Sequence, residues 1–280
     1  MLIDADDPRI LGVEAGARLR FGEEAKQESQ WAGRRLMWLD ERPAYELSFW
    51  CGTCQFMFKR LEGSNQTLSI AEFSQRLNDG LDTAEDDVAA RFAELLPTGS
   101  YQPILLQVEP RLVTPSGPGD YFCEDQLDTW NSDGFWGLPE YPATPYYRTY
   151  ESTVDADSRL YEFVVPMVPP SWNEPDRVRE YALRLAASTK PTAVAVSILD
   201  VRQPANAEGP DYYRHWLLTH FLLDGHHKLQ AAAESASPVR LLSLLSLDAS
   251  LAAPDELANV VEMRSRTRVA RHHAPRPRTT

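Results

Sequence analysis

Residues 192–247 read TAVAVSILDVRQPANAEGPDYYRHWLLTHFLLDGHHKLQAAAESASPVRLLSLLSL, and this stretch decides the fold. TAVAVSILDV, 192–201, is rich in Val and Ile and reads as a buried strand. A polar Pro/Gly loop covers 202–211, and the apolar run 216–223 then ends at Asp224. GHHK makes a turn, and Ala-rich LQAAAES is a strong helix former. VRLLSLLSL, 239–247, returns as a strand. Strand, loop, strand, turn, helix and strand therefore follow one another within 56 residues.

The same alternation extends outward. EPDRVREYALRLAAST, 174–189, predicts a helix with Pro175 in its first turn. LYEFVVPMV, 160–168, predicts a strand, and DELANVVEMRSR, 255–266, a closing helix. Further upstream, YQPILLQVEPRLV, 101–113, reads as a strand and DTAEDDVAARFAELLPTG, 82–99, as a helix. SIAEFSQRLNDG, 69–80, predicts a helix with a Ser69/Glu72 capping box and Gly80 at its end. A short helix is expected from Cys54 through FMFKRLEG. The first fifty residues read as strands, with ERP at 41–43 as a hairpin turn. Residues 114–149 hold many aromatics among Pro and Gly and read as a long ordered loop. The expected class is α+β with a mixed sheet.

Composition bounds the function. The chain has 280 residues, 43% of them hydrophobic and 25% charged, as in soluble globular proteins. Its net charge of -13 argues against nucleic acid as the main partner. The charge is uneven: residues 264–280 carry six arginines and no acid, which leaves -19 on residues 1–263. This tail reads as disordered, either folding back on the acidic body or serving as a basic arm for nucleic acid or a membrane surface. No 18-residue apolar run is present, so no membrane partner is expected. The acidic start MLIDADDPRI does not resemble a signal peptide, and three cysteines make no disulfide framework. A cytoplasmic location is the expectation. Three parts are expected: a mixed region 1–190, a phosphate-binding part 191–263 and the basic tail 264–280.

DGHHK, 224–228, is the first motif with chemistry. N–H groups at a helix start are unpaired, and the helix dipole is positive there. Gly225 allows close approach to the backbone, and His226, His227 and Lys228 add donors and charge. Together they predict an anion site, above all for phosphate. The competing reading makes Asp224 and Gly225 a plain turn and cap, with Asp224 a cap or a metal ligand. FLLDGHHKLQAAA resembles the DGHHR-x-x-A segment of the ParB/sulfiredoxin-like superfamily, which includes the ParB nucleotide-binding domain, sulfiredoxin and free-serine kinases. SILDVRQPA is similar to the strand that enters that motif. The likeness spans residues 193–247, about a fifth of the chain. It implies a βαβ core and nucleotide phosphates, with Mg²⁺, held at Gly225, His226, His227 and Lys228. Lys228 stands where the family usually has Arg, which removes a bidentate fork. Residues 1–190 have no counterpart in it. Phosphotransfer by that analogy needs an acid as base on the acceptor hydroxyl, and Glu208 and Asp211 are the candidates.

WCGTC, 50–54, is the second motif. It resembles the thioredoxin redox turn, in which a lowered-pKa thiol attacks disulfides. Read as metal, Cys51 and Cys54 are half a zinc site, completed by Cys123 and one of His215, His220, His226 or His227. Read plainly, they are two ordinary thiols. His215 and His220 lie five apart on a predicted strand and so face opposite sides. Trp130, Phe135, Trp136, Tyr146 and Tyr147 offer stacking surface, and Glu124, Asp125, Asp128 and Asp133 could hold Mg²⁺; covering the core is the alternative. Three functions follow from these motifs. The first is a nucleotide- or phosphate-binding protein, as a small-molecule phosphotransferase or nucleotidase. The second is a zinc or thiol-redox protein, and the third a non-enzymatic interaction protein.

Overall fold

The structure is a computed structural model and describes residues 1–24, 33–49, 55–130, 144–204 and 213–265. In chain order the strands are β1 (Leu2–Ala5), β2 (Arg9–Leu11), β3 (Leu19–Glu24), β4 (Arg34–Leu39), β5 (Arg42–Phe49) and β6 (Phe56–Arg60). Two short helices follow, α1 (Ser74–Asp79) and α2 (Asp86–Ala93), then β7 (Gly99–Val108), β8 (Arg111–Val113) and α3 (Leu127–Trp130). The second half is β9 (Tyr146–Asp155), β10 (Ser158–Pro166), α4 (Pro175–Ala186) and β11 (Thr192–Arg202). It ends with β12 (Arg214–Asp224), α5 (His226–Glu234), β13 (Val239–Ser246) and α6 (Pro254–Ser265).

The strands that read most plainly in the sequence are the central ones. β13 is buried at every residue and β11 at all but Val201. A strand covered on both faces is apolar throughout, so its sequence is a continuous run rather than an alternation. These strands lie in a nine-stranded mixed sheet of order β1-β7-β13-β11-β12-β10-β9-β8, with β2 also on β7. Only Glu109 and Pro110 separate β7 from β8, yet the two strands lie toward opposite ends of that order. Two residues reach at most about 10 Å, so the sheet curls until its ends approach each other. α5 packs against β11 and β13 and also against β8, so the curl closes around this helix.

The concave face packs on α4, α5 and α6 through Val178, Tyr181, Leu229, Ala232, Val260 and Met263. The other face is covered by a second, four-stranded antiparallel sheet, β3-β4-β5-β6, together with α1, α2 and the aromatic turn at Tyr121 and Phe122. The two sheets are pinned by a buried ion pair, Arg35 of β4 with Asp200 of β11.

A doubled unit underlies the large sheet. β10–α4–β11 and β12–α5–β13 interleave: β10 is parallel to β12, β11 is parallel to β13, and α4 packs beside α5. One constant offset relates Thr192 to its partner Arg240 and Ser188 to Ala236, and the last two both have positive φ, 61° and 48°, just past their helices. The repeat is in the backbone; no repeat is visible in the sequence. Within the second unit β12 is antiparallel to β11 and β13 is parallel to it, so the two strands joined by α5 run in opposite directions on either side of β11.

The N-terminal half corrects several expectations. FMFKR is strand β6, not a helix: it pairs with β5, and Phe56, Met57 and Phe58 are buried on its two sides. Ser69 does not cap a helix at 69–80; its hydroxyl goes to Asp224, and α1 begins only at Ser74. Gly80 does end it, at φ 97°. The helix expected over 82–99 is shortened to α2, because Gly99 already belongs to β7. The strand over 101–113 breaks at Glu109–Pro110, and the loop 114–149 contains a π-turn at Phe122–Gln126 and the first residues of β9. The hairpin turn sits at Asp40 and Glu41, both at positive φ, one residue before the expected place. Among the described residues no helix is long and apolar enough to cross a membrane.

Candidate functional site

β10 and β12 are parallel neighbours; β12 turns at Gly225 straight into α5, and β10 reaches α4 through residues 167–174, which include a 3-10 turn at Pro170–Trp172. Their carboxyl ends, Pro166 and Asp224, therefore lie together, and so do the N-termini of α4 and α5. Asn173 donates from Nδ2 to the His226 carbonyl at 3.3 Å and to Gln230 at 2.7 Å. The backbone N–H of Glu174 donates to His227 Nε2 at 3.1 Å. Each helix start presents N–H groups that its own turns cannot use and the positive end of its dipole.

The turn itself is tightly packed. Gly225 sits at φ 98°, and a Cβ there would lie 2.6 Å from the Ala193 Cβ. Its glycine thus serves the approach of helix to sheet as well as the left-handed turn. His226 is 3% exposed, and its Nε2 accepts the Met167 N–H at 3.1 Å. Burial, helped by His227 and Arg60, pushes the imidazole down to about 4 against the pull of Asp224. Lys228 is also 3% exposed; its Nζ donates to the Thr192 carbonyl at 2.8 Å and faces Asp224 at 3.3 Å. Burial lowers its pKa, with Asp224 opposing. These two side chains, expected among the groups that meet a phosphate, are instead held inside by backbone partners.

His227 is different. It is half-buried, its pKa is lowered by burial and then by Arg177, and it meets α4 at Glu174. Arg177, exposed on the first turn of α4, acts electrostatically on His227 and Lys228 alike. Asp224 is the carboxylate at the mouth, and its other oxygen takes the Ser69 hydroxyl. Sequence reasoning missed Ser69, Asn173, Glu174 and Arg177. Their only signal is the parallel pairing of β10 with β12, which brings two strand ends together.

The candidate bases Glu208 and Asp211 lie outside the described residues. Their described neighbours, Pro204 and Tyr213, sit beyond Arg202 and Arg214, at the end of β11 and β12 away from Asp224. The 11 residues of β12 separate the two ends, roughly 30 Å of strand. Cys51, Cys54, Asp133, Phe135 and Trp136 also lie outside the described residues, as does the side chain of Asp128. Cys123 is half-buried beside Asp120, 3.5 Å from its carboxylate, and burial together with that charge raises its pKa, the opposite of an activated thiol.

His215 and His220 do face opposite sides. His215 is buried beneath the second sheet, bonded to Tyr121 at 2.8 Å and Thr129 at 2.9 Å and stacked on Tyr213 at 4.5 Å. His220 lies on the concave face, bonded to Ser197 at 2.6 Å, with Glu162 at 3.8 Å. Of the acids considered for Mg²⁺, Asp125 serves Tyr161 and Arg148, and Glu124 accepts the Gly119 N–H. Tyr146 and Tyr147 are buried in the core. Among the described residues no group of three or more His, Cys, Asp or Glu side chains could hold a metal. Compared with family models, with curated proteins and with solved structures, the chain matches none.

Proposed function

We propose that the chain binds a phosphate-bearing small molecule, of nucleotide class, at the paired N-termini of α4 and α5. One observation carries this reading: two adjacent parallel strands, β10 and β12, end side by side, and the helices that follow them, α4 and α5, start side by side, joined by Asn173 and Glu174 to His226, Gln230 and His227. Two helix starts then lend their unpaired N–H groups and about half a positive charge each to one place.

The likeness of DGHHK to the phosphate turn of ParB/sulfiredoxin-like proteins supports the same location but assigns the residues differently. Here Arg177 and His227 are the accessible groups that meet the anion, with the backbone at Gly225. His226 and Lys228 act as internal posts that hold the turn. Asp224 is the carboxylate available to an acceptor hydroxyl or to a phosphate-bound Mg²⁺, so phosphotransfer or phosphate hydrolysis is the enzymatic extension of this reading.

Calorimetry with ATP, CTP and inorganic pyrophosphate, each with and without Mg²⁺, tests it. The expected result is binding by at least one of them. The Arg177→Glu variant should bind at least about tenfold more weakly, the loss of a charge-assisted hydrogen bond, without a change of melting temperature, and His227→Ala, which also removes the acceptor of the Glu174 N–H, should lose affinity to a similar degree while it remains folded at the assay temperature. No heat of binding and no thermal shift with any of the three at millimolar concentration would refute the reading.

A further inference from the structure

The segment that follows β6 crosses the carboxyl ends of β10 and β12. The Asn65 N–H donates to the Met167 carbonyl, just past β10, at 3.0 Å, and the Leu68 N–H donates to the Leu223 carbonyl, next to the end of β12, also at 3.0 Å. Arg60 fixes the same crossing from β6, bonding both the Asn65 side chain, at 2.7 Å, and the Met167 carbonyl. The next residue, Ser69, is thereby set at the mouth of the candidate site. It is exposed, and its hydroxyl donates to one carboxylate oxygen of Asp224, the residue just before Gly225. The other oxygen of Asp224 faces the Lys228 ammonium at 3.3 Å, and Lys228 is anchored on the Thr192 carbonyl at 2.8 Å. Hydroxyl, carboxylate and ammonium thus stand in a row. A serine hydroxyl is a weak nucleophile until a base takes its proton, and an activated one shows this order: nucleophile, base, and a third group that orients the base.

We propose that Ser69 is itself a phosphoryl acceptor: a nucleoside triphosphate held at the paired helix starts phosphorylates the chain at this hydroxyl. The proposal rests on the phosphate reading above and names an acceptor for it. In the step, Ser69 Oγ forms a bond to the terminal phosphorus while the Asp224 carboxylate takes the hydroxyl proton. The bond from that phosphorus to its bridging oxygen breaks, and its electron pair leaves with the nucleoside diphosphate. The proton on Asp224 then passes to water. Acceptor and base belong to one fixed frame, so only the donor has to be captured from solution. The neighbouring hydroxyls lack this arrangement. Ser64 is buried and donates to the Leu61 carbonyl at 2.7 Å. Thr67 is exposed like Ser69, but no carboxylate among the described residues accepts its hydroxyl.

The test incubates the full chain with ATP or CTP and Mg²⁺ and follows its intact mass. The expected result is the gain of one phosphoryl group, mapped by peptide fragmentation to Ser69, at a rate that does not depend on protein concentration. Ser69→Ala, a change at an exposed position, should gain none. Asp224→Asn should slow the transfer at least about a hundredfold, the usual worth of a general base, with its melting temperature recorded beside the rate; should that variant not fold, the mapping and Ser69→Ala still decide. Calorimetry on the parent chain with the non-hydrolysable β,γ-imido triphosphates separates the two claims. Binding without phosphate on Ser69 would overturn this proposal alone, whereas no binding of any triphosphate would remove the phosphate reading and this proposal with it. Phosphate only on Thr67 or elsewhere, a rate that rises with protein concentration, or an undiminished rate in folded Asp224→Asn would each overturn it as well.

Discussion

His226→Gln separates an internal post from a ligand contact. In the folded chain His226 Nε2 accepts the buried Met167 N–H, which requires a neutral ring. Its pKa falls from 6.5 to about 4, burial being the main cause. A histidine depressed on folding leaves stability intact above its unfolded pKa, and stability is lost as pH falls from 6.5 toward 4, because only the unfolded chain takes the proton. At 1.36 kcal/mol per pKa unit, the loss from this one group reaches about 2.5 kcal/mol by pH 4.5. Glutamine keeps an acceptor for Met167 and cannot be protonated. His226→Gln should therefore cost no more than about 1 kcal/mol at pH 7.5 and become more stable than the parent at pH 4.5. Urea unfolding followed by circular dichroism at pH 7.5, 5.5 and 4.5 measures this. His215 and His227 are also depressed on folding and tilt both curves alike, so the difference between the curves isolates His226. Parallel curves for parent and variant would refute the buried-acceptor role. Phosphate affinity at pH 7.5 should stay within about threefold, a shift of under 1 kcal/mol; its loss would return His226 to the ligand.

Two further perturbations probe the frame around the site. Arg264→Leu strips the partner from Glu162, whose carboxyl burial pushes up but Arg264, His220 and Thr149 together hold down at about 2. Unfolding experiments at pH 7 should show a loss of about 3–5 kcal/mol, and because the parent loses this pair's stability as pH falls from about 4.5 toward 2, the gap between the two should narrow in acid; a loss below 1 kcal/mol would show that the pair does not anchor α6. Gly225→Ala forces a left-handed φ on alanine and drives its Cβ to 2.6 Å from that of Ala193, at a cost of about 2 kcal/mol or more, and Ala193→Gly in the same chain should recover part of it in chemical denaturation, whereas strictly additive losses would mean the two do not touch.

The strands 160–168, 192–201 and 239–247 and the helices 174–189 and 255–266 were legible because each has one dominant signal. For the strands it is a run buried on both faces, and for α4 it is Pro175 in the first turn with an apolar stripe at Val178, Tyr181 and Leu185. FMFKR was misread because a short run of large apolar residues has no period of its own; pairing with β5 decided it. Ser69 had the spacing of a capping box, but Leu68 donates its backbone N–H to Leu223, and this brings the serine to Asp224 instead. Strand order was beyond reach altogether. Nothing local in Val239–Ser246 says that it lies between β7 and β11.

The DGHHK turn illustrates the same limit at the level of chemistry. Histidine and lysine beside a glycine at a helix start carry the donors and charge of an anion site, and the sequence cannot tell whether the fold itself uses those donors. Here it uses all three, Lys228 as a donor and His226 and His227 as acceptors. In β12–α5–β13 the helix must come down onto β11, the strand of the other unit; Gly225 permits the contact at Ala193, and Lys228 spans to the Thr192 carbonyl. His226 ties the same helix to the end of β10 through Met167, and His227 ties it to the start of α4 through Glu174. Each interaction joins one copy of the doubled unit to the other. The motif thus holds two helix starts side by side, and that juxtaposition, more than the side chains of His226 and Lys228, is what concentrates positive potential at the end of β10 and β12.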